Sequence, residues 1–191
     1  MAATLEQIAG YLDKKGWKYR IDEETSRIHL RGSMRKRSSN FLIIIQLDEE
    51  GEFFEVYAPR VITGVKEHPY KSEILQTMLC ISWETKMLQW EYDPADGEIR
   101  AIIEFPLEDA ELTERQFNRC LYSLVQLVDE LALPRLQMVM ATGEDPGDVH
   151  EGERLLLQLE TESPGFIDLW LEKAMEARKR RGRLLPDDDL N

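Results

Sequence analysis

The length, composition and charge of the chain exclude several classes of protein. It has 191 residues, of which 42% are hydrophobic and 32% are charged, and these proportions are typical of a globular domain with its own core rather than of a disordered or fibrous chain. The formal net charge of -13 repels phosphate backbones, so we expect no nucleic acid among the main partners.

Targeting signals and cysteine usage point to a cytoplasmic protein. The segment Met1 to Glu6 has neither a basic nor an apolar signal region, and the longest apolar run, Phe41 to Ile45, is too short to span a bilayer. Cys80 and Cys120 fall in segments with helical periodicity, and we expect both to be reduced core residues. The sequence therefore predicts neither a signal peptide nor a membrane span.

The first half of the chain has the pattern of a helix followed by two strand pairs. Thr4 can cap the start of the helix and Gly16 can end it. The strand near residue 45 is apolar on both faces, which places it centrally in a sheet. We expect a helix over 4–15, strands around 17–21 and 28–30, a central strand over 40–47 and a strand over 52–58 that stops before Pro59.

The second half alternates helices with a third hairpin. Thr113 and Gln116 form a capping box at the start of one helix, which Pro134 should end or kink. The pattern predicts a mostly buried helix over about 70–84, strands over 88–92 and 99–105, and a last helix opened by Ser163 and Pro164.

These elements predict a two-layer α+β domain with a twisted antiparallel sheet and helices packed on it. We assign residues 1–140 to this domain, 141–153 to an acidic linker, 154–183 to an amphipathic C-terminal extension and 184–191 to a flexible tail. The stripe on the last helix could face its own domain, a partner or a membrane surface, and it consists of Phe166, Ile167, Trp170, Leu171, Ala174 and Met175.

No catalytic, cofactor or metal motif is superimposed on this pattern. The three histidines lie in different predicted elements, and Arg154 stands where a zinc-protease motif beginning at His150 and Glu151 would need its second histidine. Glycines are scattered rather than clustered before a helix, which disfavours nucleotide chemistry. We expect a protein without enzymatic activity, although groups that converge only in three dimensions would escape a motif search.

Large aromatic side chains are the best candidates for a partner-binding surface because they dominate interface energetics. Around the third hairpin these are Trp83, Trp90 and Tyr92, for which the alternative is burial in the core. In the C-terminal extension we add the apolar Phe166, Trp170 and Leu171 and the basic Arg180 and Arg181. If the two arginines have no functional role, they belong to an ordinary solvated helix end. A second basic cluster, with the same alternative, lies in a predicted turn at residues 31–37.

The segments Leu5 to Trp17, Asn40 to Tyr57 and Tyr70 to Phe105 together resemble the type III secretion chaperone-like fold, in particular the YbjN-type bacterial domains. The resemblance implies a small, usually dimeric domain without known catalytic residues; some relatives bind secretion substrates, and YbjN-type domains are described as candidate regulators of signalling. We therefore expect a protein-binding homodimer of chaperone-like or regulatory type. The alternatives are a peripheral membrane adaptor that uses the basic C-terminal helix, and an unrecognised enzyme.

Overall fold

The structure is a computed structural model that describes residues 2–32, 41–108 and 110–182. The chain divides into two compact units, an N-terminal unit of residues 1–145 and a C-terminal unit of residues 146–191. The predicted basic residues 35–37 and the predicted tail 184–191 lie outside the described ranges. The helices are α1 (Leu5–Lys14), α2 (Lys71–Glu84), α3 (Glu114–Gln126), α4 (Leu133–Thr142), α5 (Pro146–Glu162) and α6 (Phe166–Gly182). The strands are β1 (Tyr19–Asp22), β2 (Arg27–Gly32), β3 (Phe41–Asp48), β4 (Phe53–Ile62), β5 (Gln89–Tyr92) and β6 (Ile99–Pro106).

The N-terminal unit is built on one antiparallel sheet with the strand order β1-β2-β3-β4-β6-β5. A buried row crosses its core face because the register aligns Ile28, Ile45, Val56 and Ile103. This face packs with the helices of the unit in one hydrophobic core. The predicted α+β fold with an antiparallel sheet is therefore confirmed, and β3 is central as expected.

The opposite face of the sheet has a smaller apolar centre formed by Ile44, Tyr57 and Ile102, which the register places side by side. The same face exposes Leu42 by 41%, so β3 is covered on its second face only in part. Along the next row, Glu55 and Glu104 lie directly opposite each other. Burial and the neighbouring carboxylates of Asp48 and Glu104 raise the pKa of Glu55 above its usual range.

Polar caps fix the helix starts that the sequence predicts. The Thr4 hydroxyl accepts a hydrogen bond from the Gln7 amide at 3.2 Å. At α3, the Thr113 hydroxyl accepts from the Gln116 amide at 3.2 Å, while the Thr113 amide donates to the Gln116 side chain at 3.1 Å. Each cap satisfies backbone amides that have no partner within the helix.

Strand β4 is longer than predicted because Pro59 does not end it. The pairing with β6 shifts register between Ala58 and Ile62, and Arg60 adopts a left-handed conformation with φ of 52°. At such a bulge the ladder is interrupted, so a proline that lacks an amide donor is tolerated there. The Arg60 amide donates to the Glu98 side chain at 3.0 Å instead. The predicted end of the strand at residue 58 is therefore wrong, whereas the predicted interruption at Pro59 is present as the bulge.

The helical segment after α3 also continues past its proline. A π-helical stretch, Leu127–Ala132, joins α3 to α4, and Pro134 follows directly after it, where the regular α-helical hydrogen-bond pattern is already interrupted. Gly143 ends α4 with φ of 78°, and a Cβ atom there would lie 2.8 Å from the Tyr70 ring. Only glycine meets both conditions without strain.

The segment 141–153, which the sequence predicts to be a linker, is largely helical. Helix α4 continues to Thr142 and α5 begins at Pro146, which leaves three residues between them. Pro146 suits a helix start because its fixed φ matches the first turn. The acidic and glycine-containing composition was therefore misleading about local structure, while the assignment of residues to domains stays a prediction.

Candidate protein-binding surface

Helix α2 presents apolar side chains on its outer side as well as toward the core. Its inner side is buried through Ile74, Met78 and Ile81. On the outer side Leu79 is 66% exposed and Trp83 is 91% exposed. These two residues are four apart and so lie on one face of the helix. The prediction that this helix is mostly buried holds only for its inner side.

The C-terminal end of α2 is held by a buried ion-pair cluster around Arg135 of α4. The Arg135 side chain is 7% exposed, and its Nη1 donates to Glu84 Oε2 at 2.6 Å. Its Nε and Nη2 donate to the two carboxylate oxygens of Asp145 at 2.6 and 2.8 Å. Hydrogen bonds to Asp145 and Glu84 raise the pKa of Arg135, so the guanidinium stays charged although it is buried. The bond to Glu84 connects α4 to the last turn of α2, which also contains Trp83.

The same cluster explains why the N-terminal unit extends to Asp145. The Asp145 side chain is 11% exposed and binds Arg135 in a bidentate pair, so it is part of the packed structure. The sequence analysis missed this cluster. A charged residue within the apolar pattern of 131–140 was the available signal, because a buried arginine requires carboxylate partners.

Between α2 and β5 the chain carries another exposed apolar residue. Met87 is 41% exposed and has a φ of 73°, an unusual conformation for a residue other than glycine. Helix α2 contacts β5, and β5 is the last strand of the sheet, paired only with β6 within the described residues. We call Leu79, Trp83, Met87 and strand β5 the α2–β5 surface. Its apolar side chains lie on α2 and on the connection to β5, and the outer backbone groups of the edge strand can pair with another chain.

The predicted aromatic residues of the third hairpin divide between surface and core. Trp90 is 8% exposed and lies opposite Ala101. It is therefore a core residue, which was the alternative to partner binding, and its ring is not available to a partner. Tyr92 is half-buried, with Lys71 Nζ 5.2 Å from its ring centre. Trp83 alone of these three is fully on the surface.

The polar groups beside β5 are engaged with one another. A cleft of about 620 Å³ is lined by Glu91, Tyr92, Asp93, Pro94, Glu98 and Arg100. Within it Arg100 donates to Glu91 across the hairpin, and Glu98 binds Arg60 at 3.3 Å. Arg100 also lies 5.4 Å from the ring centre of Tyr57. Arg100, Glu91 and Glu98 are therefore each held in an ion pair.

The remaining predicted contacts lie in the C-terminal unit, all on α6. Phe166, Trp170 and Leu171 are 47%, 63% and 48% exposed, and Arg180 is exposed as well. Arg181 is part of the same helix. The predicted set is thus divided between the two units of the chain.

The described part of the chain has neither a cluster of metal ligands nor a helix that could span a membrane. No group of three or more potential metal ligands occurs among residues 2–32, 41–108 and 110–182. Over the same ranges no helix has the length and hydropathy to cross a membrane.

Comparisons with known proteins bear on the fold of the chain. No family model matches the chain, and no curated protein sequence is significantly similar to it. The chain is similar in structure to YbjN from E. coli, a protein described as a proposed transcription regulator, with a TM-score of 0.51 and 12% sequence identity. The similarity covers 70% of this chain and 92% of that one. At this identity the similarity shows the fold alone: the chain has a YbjN-like α+β fold.

Proposed function

We propose that the chain is a non-enzymatic protein-binding module of chaperone-like or regulatory type, which acts as a homodimer and binds a client protein on the α2–β5 surface. The single observation that carries the proposal is the exposure of Trp83, at 91%, on a helix that contacts an edge strand. Tryptophan is among the residues most enriched in interface hot spots. Burying its ring contributes about 2 kcal/mol to binding by area alone.

The shape of the surface favours an extended client segment. A segment that adds to β5 would gain backbone hydrogen bonds along the edge, and a client that continues over the outer side of α2 would bury Leu79 and Trp83. Strand addition needs few sequence-specific contacts, which suits a module that recognises a client by backbone and apolar anchors. The YbjN-like fold supports the regulatory or adaptor part of the proposal, since the similar protein is itself described as a proposed regulator.

The test compares two exposed aromatic residues on different helices. The full-length protein is immobilised and exposed to native extract, in parallel with the variants Trp83→Glu and Tyr122→Glu. Tyr122 is 43% exposed on α3, where its ring centre lies 6.2 Å from that of Trp17, so the control Tyr122→Glu is used after circular dichroism shows that it is folded. We expect one dominant protein in defined stoichiometry with the wild type and with Tyr122→Glu, and its loss with Trp83→Glu. Equal capture by all three forms would remove the α2–β5 surface from the proposal.

A membrane-surface adaptor is the second candidate, and the exposed apolar residues of α6 favour it. Phe166 and Trp170 could enter a bilayer interface while the basic end of α6 meets anionic head groups. Binding to anionic vesicles that is lost in Trp170→Glu and weakened by salt would support this function. An indifference to anionic lipid would eliminate it.

A further inference from the structure

The C-terminal unit exposes nearly all of its large apolar side chains. Each described leucine, methionine, phenylalanine and tryptophan of α5 and α6 is at least 43% exposed, and Trp170 is 63% exposed. Two helices of 17 residues have too little volume to bury such a set by themselves. An apolar surface of this kind in a folded protein marks an interface.

The turn between the helices is defined by hydrogen bonds, so the unit has a specific hairpin to present. The Gly165 amide donates to Glu160 Oε1 at 2.9 Å, and the Phe166 amide donates to the Ser163 carbonyl at 3.0 Å. Gly165 has a φ of 79°, which suits glycine at a tight turn. Only three residues separate α5 from α6.

The apolar residues of α5 form one face with a clear exception. At about 100° per residue, Leu155, Leu156 and Leu159 fall on the same side of the helix, whereas Leu157 falls on the opposite side. Leu157 is also the most exposed of the four, at 70%. The face defined by Leu155, Leu156 and Leu159 is therefore the one that a partner would cover.

Helix α6 has the same arrangement. Phe166, Ile167, Trp170 and Leu171 share one side of the helix, and Leu169 lies about 130° from the centre of that side, with Phe166 as its nearest member at about 60°. Ile167 is half-buried, whereas Phe166, Trp170 and Leu171 are exposed. Each helix thus carries an apolar face and one leucine that can serve as an internal control.

Charge is distributed unequally between the two helices. Helix α5 has five acidic residues and one arginine, a net charge of -4, whereas α6 has three acidic and five basic residues, a net charge of +2. A two-fold axis that places α5 of one hairpin against α6 of another brings opposite charges together twice. The hairpin is therefore complementary to a second copy of itself.

We propose that the α5–α6 hairpin packs against the same hairpin of a second copy of this chain, with α5 of each against α6 of the other, in a four-helix assembly. This inference rests on the homodimer part of the proposed function, and it assigns the dimer contact to the C-terminal unit while the α2–β5 surface binds the client. The apolar faces of α5 and α6 form the centre of the interface, and the charged residues form its rim. An anionic membrane is the weaker partner because α5 would be repelled by it.

The experiment measures self-association of the full-length protein by sedimentation equilibrium. We expect a monomer–dimer equilibrium in the wild type. Leu159→Glu and Trp170→Glu place a charge in the apolar centre, and each should raise the dissociation constant by about tenfold or more. Leu157→Glu and Leu169→Glu make the same change on the same helices away from that centre, and both should leave the constant unchanged.

Three outcomes would overturn the inference. The first is a wild-type protein that stays monomeric at all concentrations. The second is a dimer that Leu159→Glu and Trp170→Glu do not weaken, which would move the contact to another surface. The third is a monomer that co-sediments with vesicles of phosphatidylcholine and phosphatidylglycerol, which would make lipid the partner of α6. Client capture by Leu159→Glu is measured in parallel, since its dependence on Trp83 tests the proposed function independently of the dimer.

Discussion

Removal of the Arg135 side chain should destabilise the N-terminal unit strongly. In Arg135→Met the Asp145 carboxylate, 11% exposed, would remain in place without its bidentate partner, and breaking a buried ion pair in this way costs about 3–5 kcal/mol. The Glu84 carboxylate is 47% exposed and regains water when the arginine is absent. Glu84→Gln should therefore cost only about 0.2–1 kcal/mol, as for an exposed pair.

The measurement is urea unfolding of the full-length variants, monitored by circular dichroism in the strand region, because all described strands belong to the N-terminal unit. Adding Asp145→Asn to Arg135→Met removes the buried carboxylate that has lost the guanidinium and should recover part of the lost free energy of unfolding. A loss below about 1 kcal/mol for Arg135→Met, or a double variant no more stable than the single one, would refute the argument that the buried Arg135–Asp145 pair stabilises the N-terminal unit.

Three further changes test local features of the fold. Gly143→Ala should cost more free energy of unfolding than Gly16→Ala, since both glycines have a positive φ but only at Gly143 would the new Cβ meet a neighbour; equal losses in urea unfolding would contradict this. Glu55→Gln should stabilise the protein by about 0.2–1 kcal/mol at neutral pH, by relieving repulsion in the sheet. Because the pKa of Glu55 is raised, its charge destabilises the fold above that pKa, and the gain should vanish in unfolding measurements as pH falls through it. Burial raises the pKa of Cys120 to about 11, so this thiol should react with a disulfide reagent at pH 8 far more slowly than half-buried Cys80; equal rates would contradict the burial.

Most of the fold could be predicted from the sequence because its elements have strong local signals. The alternation in the hairpins, the cap at Thr4 and the capping box at Thr113 are each set by neighbouring residues, and each lies where expected. The errors occurred where a local signal depends on tertiary context. Pro59 ends a strand in isolation, but it is tolerated at the bulge that the pairing with β6 creates.

The candidate surface was harder to predict because side-chain exposure depends on which helix face meets the sheet. Trp83 and Trp90 are both aromatic residues flanking one short connection, yet one is 91% and the other 8% exposed. The register of β5 against β6 directs Trp90 inward, whereas the packing of α2 on its inner side directs Trp83 outward. Neither orientation follows from residue type. The ion pairs of Arg135 likewise join residues up to 51 positions apart, beyond the reach of any local pattern.

The exposure of Trp83 separates its contribution to folding from its contribution to binding. A tryptophan that keeps 91% of its surface in water gains almost no burial on folding, so Trp83→Glu should change the free energy of unfolding by no more than about 0.5 kcal/mol. The same variant removes the largest apolar anchor of the α2–β5 surface. Loss of client capture together with unchanged stability would therefore identify Trp83 as a binding residue, whereas a large loss of stability would show that its ring is packed in the folded protein.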